Sequence, residues 1–159
     1  IGIILLFIRF RWAILVGITG FVVMGVSFLL ETLFAADRPF TFFDKLGQID
    51  QIIPVEGIKY LVGPTSFPSG HTMSAFALYL ILTLISPPKK RFAILFFSMA
   101  LTVAISRIWL VQHFLRDVTA GAFCGVLIGT LLYYFHQKYP FDSKYWIDRS
   151  LLNLKGRDL

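Results

Sequence analysis

Three residues of this sequence have the types and spacing of a catalytic group: a histidine that could act as nucleophile, an aspartate that could orient it, and a second histidine that could donate a proton. His113 and Asp117 are four residues apart, so they can share one face of a helix. A carboxylate there can keep one imidazole nitrogen protonated and leave the other free to act as a nucleophile. His71 directly follows Pro68-Ser69-Gly70 and could give a proton to a leaving group.

An anion site is predicted beside these residues. Pro68-Ser69-Gly70 comes directly before an apolar stretch, and free backbone N–H groups at a helix N-terminus bind anions readily. Arg38 and Arg107 add two permanently charged guanidinium groups that suit phosphate oxygens. Two histidines, two arginines and a helix N-terminus together indicate phosphoryl transfer through a covalent phosphohistidine.

Each of these residues taken singly has a simpler interpretation. An arginine such as Arg38 or Arg116 can anchor a span at the membrane interface, and an isolated histidine or aspartate is more often a packing or capping residue. Two histidines and one carboxylate would leave a metal site short of ligands. A non-catalytic anionic-lipid-binding or transport subunit is the alternative from another class, but simple binding requires neither His71 nor the partner of His113. We favour catalysis because one set of helix ends collects every group of one reaction.

Composition identifies the kind of chain that carries these groups. Apolar residues make up 57% of the 159 residues, charged residues only 15%, and the mean hydropathy is +0.74. Soluble domains have roughly 45–50% apolar and about 25% charged residues. These values exclude a disordered chain and a highly charged nucleic-acid binder, and they predict an integral membrane protein. The single cysteine, Cys124, excludes an internal disulfide framework and a multi-cysteine zinc site.

Four apolar stretches predict an all-α, polytopic transmembrane helical bundle in one domain, residues 1–159. The predicted spans are 12–34, 71–86, 92–110 and 118–135, and an outer loop covers 35–70. Backbone groups in lipid must pair internally, so the spans are expected to be helices. Residues 1–8 are apolar but too few to cross a bilayer.

The basic residues orient these spans. If the helices alternate, ten cations fall on one side, which the positive-inside rule makes cytoplasmic. They are Arg9, Arg11, Lys89, Lys90, Arg91, Lys138, Lys144, Arg149, Lys155 and Arg157. The basic excess therefore needs no nucleic-acid partner. The predicted site then faces the periplasm or exterior of a bacterial cytoplasmic (inner) membrane.

Three further patterns carry structural expectations. Gly121, Gly125 and Gly129 form a repeated small-residue face that permits close approach of another helix, which we expect to belong to the same chain. Apolar residues recur at near-helical spacing over 42–53 and predict a short helix, lying either on the membrane surface or against the spans. His136 falls among the cytoplasmic lysines and is interpreted as solvated and irrelevant to the reaction.

The motifs R-P, P-S-G-H and S-R-x5-H-x3-D resemble those of the type 2 phosphatidic acid phosphatase family. The similarity covers Glu31 to Asp117, and the second and third motifs are complete. That family shares its core fold with vanadium-dependent haloperoxidases and bacterial acid phosphatases. A vanadate-dependent peroxidase would carry the same motifs, but those enzymes are soluble and this chain is not.

The resemblance implies a role for each matching residue. His113 would be the nucleophile, Asp117 would orient it, and His71 would be the general acid. Phosphate would be bound by Arg38, Arg107, Ser69 and Gly70. Ser106 and Pro68 would support the site, and neither a metal nor another cofactor is expected. The substrate would be a membrane lipid phosphomonoester or pyrophosphate, with a lipid A 1-phosphate or phosphatidylglycerophosphate favoured.

One position departs from the family pattern. The family has a lysine seven residues before the arginine of its first motif, and here that residue is Glu31. We expect Glu31 to avoid the phosphate and to pair with Arg38 or Arg107, or to meet a donor on the lipid headgroup. The missing cation could come from Lys45 or Lys59 in the outer loop.

Overall fold

The computed structural model describes residues 9–53, 57, 59–87 and 89–138, and every regular element in that part of the chain is helical. Helix α1 spans Phe10–Phe34 and α2 spans Pro39–Lys45, followed by a 3₁₀ turn at Ile49–Gln51. Helices α3, α4 and α5 span Gly70–Ile85, Lys89–Trp109 and Leu115–Lys138. The all-α prediction is confirmed, and the four long helices begin and end within three residues of the four predicted apolar stretches. The apolar stretch 1–8 and the cations beyond residue 138 lie outside the described residues.

Helix ends coincide with residues that stop or start a helix. Helix α1 ends where Ala35 turns into the left-handed region, with its N–H donated to the Glu31 carbonyl at 3.0 Å. Pro39 occupies the first position of α2, where a missing N–H costs nothing. Helix α3 follows Pro68, and α4 ends before a turn in which Val111 also has a positive φ of 55°.

Length and composition make the chain a multi-pass membrane protein. Three helical stretches are long and apolar enough to cross a bilayer, namely Phe10–Lys45, Arg91–Trp109 and Leu115–Lys138. Helix α3 has 16 residues and is shorter, at roughly 24 Å. It is nevertheless the most buried helix, because α1, α4 and α5 all pack against it.

The glycine face of α5 explains how α3 is held so closely. A Cβ atom on Gly121 or Gly125 would overlap the carbonyl oxygens of Ser69 and Met73, and one on Gly129 would lie 3.2 Å from that of Ala77. The predicted close approach therefore occurs, and the neighbouring helix belongs to the same chain. Met73 and Ala77 are fully buried in the resulting core.

Two expectations for the remaining segments are wrong. The helix predicted over 42–53 is broken, because Gly47 has a φ of +66° and separates α2 from the 3₁₀ turn. His136 is not simply solvated. Its Nε2 lies 3.3 Å from Arg11 Nε, and its ring centroid lies 5.3 Å from that of Trp12. His136 thus ties the end of α5 to the beginning of α1, at the end of the bundle opposite His71 and His113.

Candidate active site

Five helix ends meet at one end of the bundle, where there is an open cavity of about 540 Å³. Helix α1 ends there, α2 and α3 begin there, and the turn between α4 and α5 closes the group. The cavity is lined by Met24, Ser27, Phe28, Glu31, Arg38, Gly70, His71, Ser74 and His113. Residues from all three sequence motifs are therefore brought together, as the spacing predicts.

His113 is placed by the tight turn after α4. The His113 N–H is donated to the Arg107 carbonyl at 3.3 Å, so the turn folds back onto the last residues of α4. The residue is 4% exposed, and its Nδ1 lies 2.8 Å from the Ser66 carbonyl oxygen. A carbonyl only accepts hydrogen bonds, so Nδ1 carries the proton. The other ring nitrogen, Nε2, is left with the lone pair that a nucleophile needs.

Asp117 does not hold His113 in the way the motif predicts. Its Oδ2 is 3.9 Å from His113 Nδ1, which is too far for a hydrogen bond. The fully buried carboxylate instead accepts bonds from Ser66 Oγ at 2.6 Å and from the Phe114 N–H at 2.9 Å. Asp117 therefore orients the imidazole indirectly, by fixing the residue whose carbonyl binds the ring.

Ser66 is a residue of the candidate site that sequence reasoning missed. It is fully buried, and it links Asp117 to His113 through its hydroxyl and its carbonyl respectively. Every residue has a backbone carbonyl, so the residue type does not show which carbonyl binds the histidine. The available signal was position alone, because Ser66 lies directly before the Phe67-Pro68-Ser69-Gly70-His71 segment.

Arg38 is a buried clamp as well as a cavity wall. Its Nε donates to Thr65 Oγ1 and its Nη1 donates to the Gln112 carbonyl, each at 3.2 Å. Its backbone N–H is donated to the Gly63 carbonyl at 3.1 Å. One guanidinium thus fastens the loop before α3 to the turn before α5, and it presents its charge to the cavity.

The start of α3 supplies backbone donors. Ser69 is the N-cap residue but makes no side-chain capping bond, so the first-turn N–H groups stay available to an anion. Gly70 and His71 line the cavity. Ser69 itself is fully buried, with its N–H donated to the Asp117 carbonyl at 2.9 Å and its Oγ accepting from Thr72 at 3.0 Å. Pro68, the predicted supporting residue, is also fully buried.

Arg107 and Ser106 lie beside the cavity and are not part of its lining. Arg107 is half-buried, with Nε 3.3 Å from Ser106 Oγ, while Ser106 Oγ donates to the Val103 carbonyl at 2.7 Å. The positive charge of Arg107 lies close enough to act on His71. Its role as a phosphate ligand remains a prediction.

Glu31 faces the cavity and does not form the predicted ion pair. Its Oε1 accepts a hydrogen bond from Ser27 Oγ at 2.7 Å, and no ion pair between described residues joins it to Arg38 or Arg107. The proposed substitute cations lie elsewhere. Lys45 is paired with Asp37 at 2.6 Å on the surface, and neither Lys45 nor Lys59 lines the cavity. Within the described part of the chain, no three metal-ligating side chains come together.

Comparison with known proteins agrees with the motifs. The PAP2 superfamily matches residues 4–141, so the chain belongs to this family of type 2 phosphatidic acid phosphatases. Phosphatidylglycerophosphatase B of Bacillus subtilis (strain 168) is 37% identical over 81 residues, which are 46% of this chain and 40% of that protein. Bacitracin transport permease protein BcrC of Bacillus licheniformis is 37% identical over 76 residues, 48% of this chain and 36% of that one. The matched segments thus span about two-fifths of these relatives, and no solved structure matches.

Proposed function

We propose that this protein is a metal-independent phosphatase of membrane lipid phosphates, acting through a phosphohistidine at His113. The observation that carries the proposal is the state of the His113 ring. Nδ1 is held by the Ser66 carbonyl at 2.8 Å, and the ring lines a cavity shared with His71, Arg38 and the start of α3. Family membership supports the same reaction.

In the first step, the Nε2 lone pair attacks phosphorus and the bond from phosphorus to the lipid oxygen breaks. Arg38 and the free N–H groups of Gly70 and His71 stabilise the charge on the phosphoryl oxygens. His71 gives its proton to the departing oxygen, which leaves as a neutral alcohol. The phosphorylated ring is positively charged, and the Asp117 carboxylate at 3.9 Å stabilises it.

In the second step, the now neutral His71 takes a proton from water. The water oxygen attacks phosphorus, the N–P bond breaks, and its electron pair returns to Nε2 of His113. Inorganic phosphate leaves, and His71 is protonated again for the next cycle.

A lipid is the proposed substrate because one side of the cavity is apolar. Met24 and Phe28 line it, and both are highly exposed, so they offer a surface for hydrocarbon chains. One relative is named phosphatidylglycerophosphatase B, which fits a phosphorylated lipid headgroup. A soluble phosphate ester has no hydrocarbon chain and would not make this apolar contact.

The site is proposed to face outward. The cations Arg9, Arg11, Arg91 and Lys138 lie at the opposite ends of α1, α4 and α5 from the cavity. Under the positive-inside rule those ends are cytoplasmic, so the cavity opens at the outer face of the cytoplasmic membrane.

The test is to trap the intermediate. Purified protein is mixed with a ³²P-labelled lipid phosphate, quenched in alkali, and the acid-labile label is mapped by peptide sequencing. We expect label on His113 in the wild type. His113→Asn keeps a donor toward Ser66 but has no nucleophilic nitrogen, so it should fold, take up no label and lose turnover.

His136→Ala is the matched control, because His136 lies at the other end of the bundle. It should label and turn over as the wild type does. Multiple turnover by His113→Asn would overturn the covalent mechanism. A transport or binding role, suggested by the name of the second relative, predicts lipid binding by His113→Asn with no phosphate release from the wild type.

Sidedness has its own test, in a Cys124→Ser background. A membrane-impermeant thiol reagent applied to intact cells should label Gln48→Cys and leave Arg91→Cys unlabelled. The opposite pattern would place the cavity at the cytoplasmic face.

A further inference from the structure

Among the described residues that line the cavity, Glu31 is the one carboxylate, and its position indicates a role in substrate selection. It lies on α1, where Met24, Ser27, Phe28 and Glu31 recur at helical spacing and all line the cavity. Glu31 is seven residues beyond Met24, which is roughly 10 Å along the helix axis. The carboxylate therefore lies between the apolar part of the cavity and Arg38, the basic residue that follows α1.

The carboxylate is held in place by a hydrogen bond from its own helix. Ser27 Oγ donates to Oε1 at 2.7 Å, and Oε1 would lie 3.3 Å from a Cβ built on Gly70. Glu31 thus borders the first turn of α3, where the phosphate is proposed to bind. Among the described residues it joins no ion pair, and it lines the cavity, so its carboxylate is available to the part of the substrate that lies next to the phosphate.

A carboxylate only accepts hydrogen bonds and repels other anions. A hydroxyl or N–H group beside the phosphate would therefore be favoured at this position. Ester carbonyls are acceptors and gain nothing there. A second phosphate, as in a diphosphate, would be repelled by the carboxylate.

We propose that Glu31 is a specificity-determining residue that selects lipid phosphomonoesters bearing hydroxyl or N–H donors next to the phosphate and disfavours diphosphates. This inference rests on the proposed lipid phosphatase function. It explains why an acidic residue stands in a cavity that otherwise binds an anion, because the carboxylate contacts the linking part of the lipid and not the transferred phosphate.

The experiment compares two pairs of probes in mixed micelles. Ceramide 1-phosphate and phosphatidic acid are both two-chain phosphomonoesters, but the first offers a hydroxyl and an amide N–H where the second has ester carbonyls. Geranylgeranyl monophosphate and diphosphate differ in the second phosphate. The wild type should give a higher kcat/KM for ceramide 1-phosphate and for the monophosphate.

Glu31→Gln removes the charge with little change of shape. We expect the ratio of kcat/KM for ceramide 1-phosphate over phosphatidic acid to fall about tenfold, the difference between hydrogen bonds to charged and to neutral acceptors. The kcat/KM for the diphosphate should rise about fivefold or more as the repulsion is lost. Ser27→Ala, which frees Oε1, should move the first ratio in the same direction by about threefold.

Thr32→Ala is the matched control, because Thr32 is the exposed neighbour of Glu31 and its hydroxyl donates to the Phe28 carbonyl of its own helix. It should leave two ratios of kcat/KM unchanged: ceramide 1-phosphate over phosphatidic acid, and geranylgeranyl monophosphate over diphosphate. Equal loss on all four probes in Glu31→Gln, or no change in either ratio, would overturn the selective role. If the wild type releases phosphate from none of the probes, the proposed function itself fails, and that outcome is distinct from hydrolysis without selectivity.

Discussion

The glycines of α5 and the glycines of α1 have opposite surroundings. Gly121 and Gly125 bring α5 against the backbone of α3 so closely that a Cβ atom has no room. On α1, no described atom lies within 4 Å of a Cβ built on Gly17, Gly20 or Gly25. Helix α5 thus contacts the backbone of α3 directly, whereas α1 reaches the start of α3 through side chains, with Ser27 Oγ packed against Gly70.

The contrast separates the two tasks of the cavity. The α3–α5 pair carries His71 and Asp117, and His113 lies in the turn that leads into α5. These groups need fixed relative positions for the chemical step. Helix α1 contributes the wall with Met24, Phe28 and Glu31, the position that departs from the family pattern. Under the proposed function, the chemical step is thus placed on the closely packed pair, and substrate selection on the wall formed by α1.

The largest effect is expected from Gly121→Ala. The added methyl group would displace the Ser69 carbonyl and with it the start of α3, where Gly70 and His71 line the cavity. Overpacking of this kind costs about 1–3 kcal/mol. A displacement of 1 Å at the reacting groups can lower kcat by about a hundredfold. Phosphate release and thermal unfolding in detergent measure both effects.

Gly129→Ala sharpens this prediction, because its contact with Ala77 is looser and lies two helical turns farther from the cavity. It should lower the unfolding temperature slightly and leave kcat near that of the wild type. Equal loss of activity in both variants would show that the glycine face serves folding alone.

An intermediate effect is expected at Asp117 and Ser66. Asp117→Asn retains one oxygen acceptor but loses the charge near the imidazole, so kcat should fall about tenfold to a hundredfold. Ser66→Ala keeps the carbonyl that binds His113 and should cost less, about threefold to tenfold in kcat.

A double-mutant cycle tests whether the two residues act together. If Asp117 works through Ser66, the double variant should lose less than the product of the two single losses. Strictly multiplicative losses would contradict the indirect linkage.

The smallest effect is expected from Gly20→Ala on α1. Open space surrounds this position among the described residues, and alanine is the better helix former by about 1 kcal/mol. Activity should be unchanged and the unfolding temperature equal or slightly higher. A clear loss of activity would show that α1 is packed as closely as α5 and would remove the contrast between the two helices.

Sequence reasoning succeeded where residue types and their spacing determine the structure. Long apolar stretches must be helical in lipid, and the spacing of Gly121, Gly125 and Gly129 left only a face for close packing. The polar clusters at the span ends had to meet once the helices alternate. These features depend on side-chain chemistry and periodicity, both of which are legible in a sequence.

Contacts made by the backbone were not predictable in the same way. His113 is oriented by the carbonyl of Ser66, and any residue has a carbonyl. The i, i+4 spacing suggested a direct bond from Asp117, but the buried carboxylate is occupied by Ser66 Oγ and the Phe114 N–H. The helix predicted over 42–53 failed because one glycine, Gly47, adopts a positive φ that periodicity does not register.

The Arg38 clamp has a consequence for biosynthesis. Its side-chain partners, Thr65 and Gln112, lie 27 and 74 residues farther along the chain. During synthesis, Arg38 therefore emerges well before the residues that bind its guanidinium, and contacts of such long sequence separation form late. The candidate site is completed only when the α4–α5 turn arrives, so a chain interrupted before Gln112 lacks the contact that fastens Arg38 to this turn.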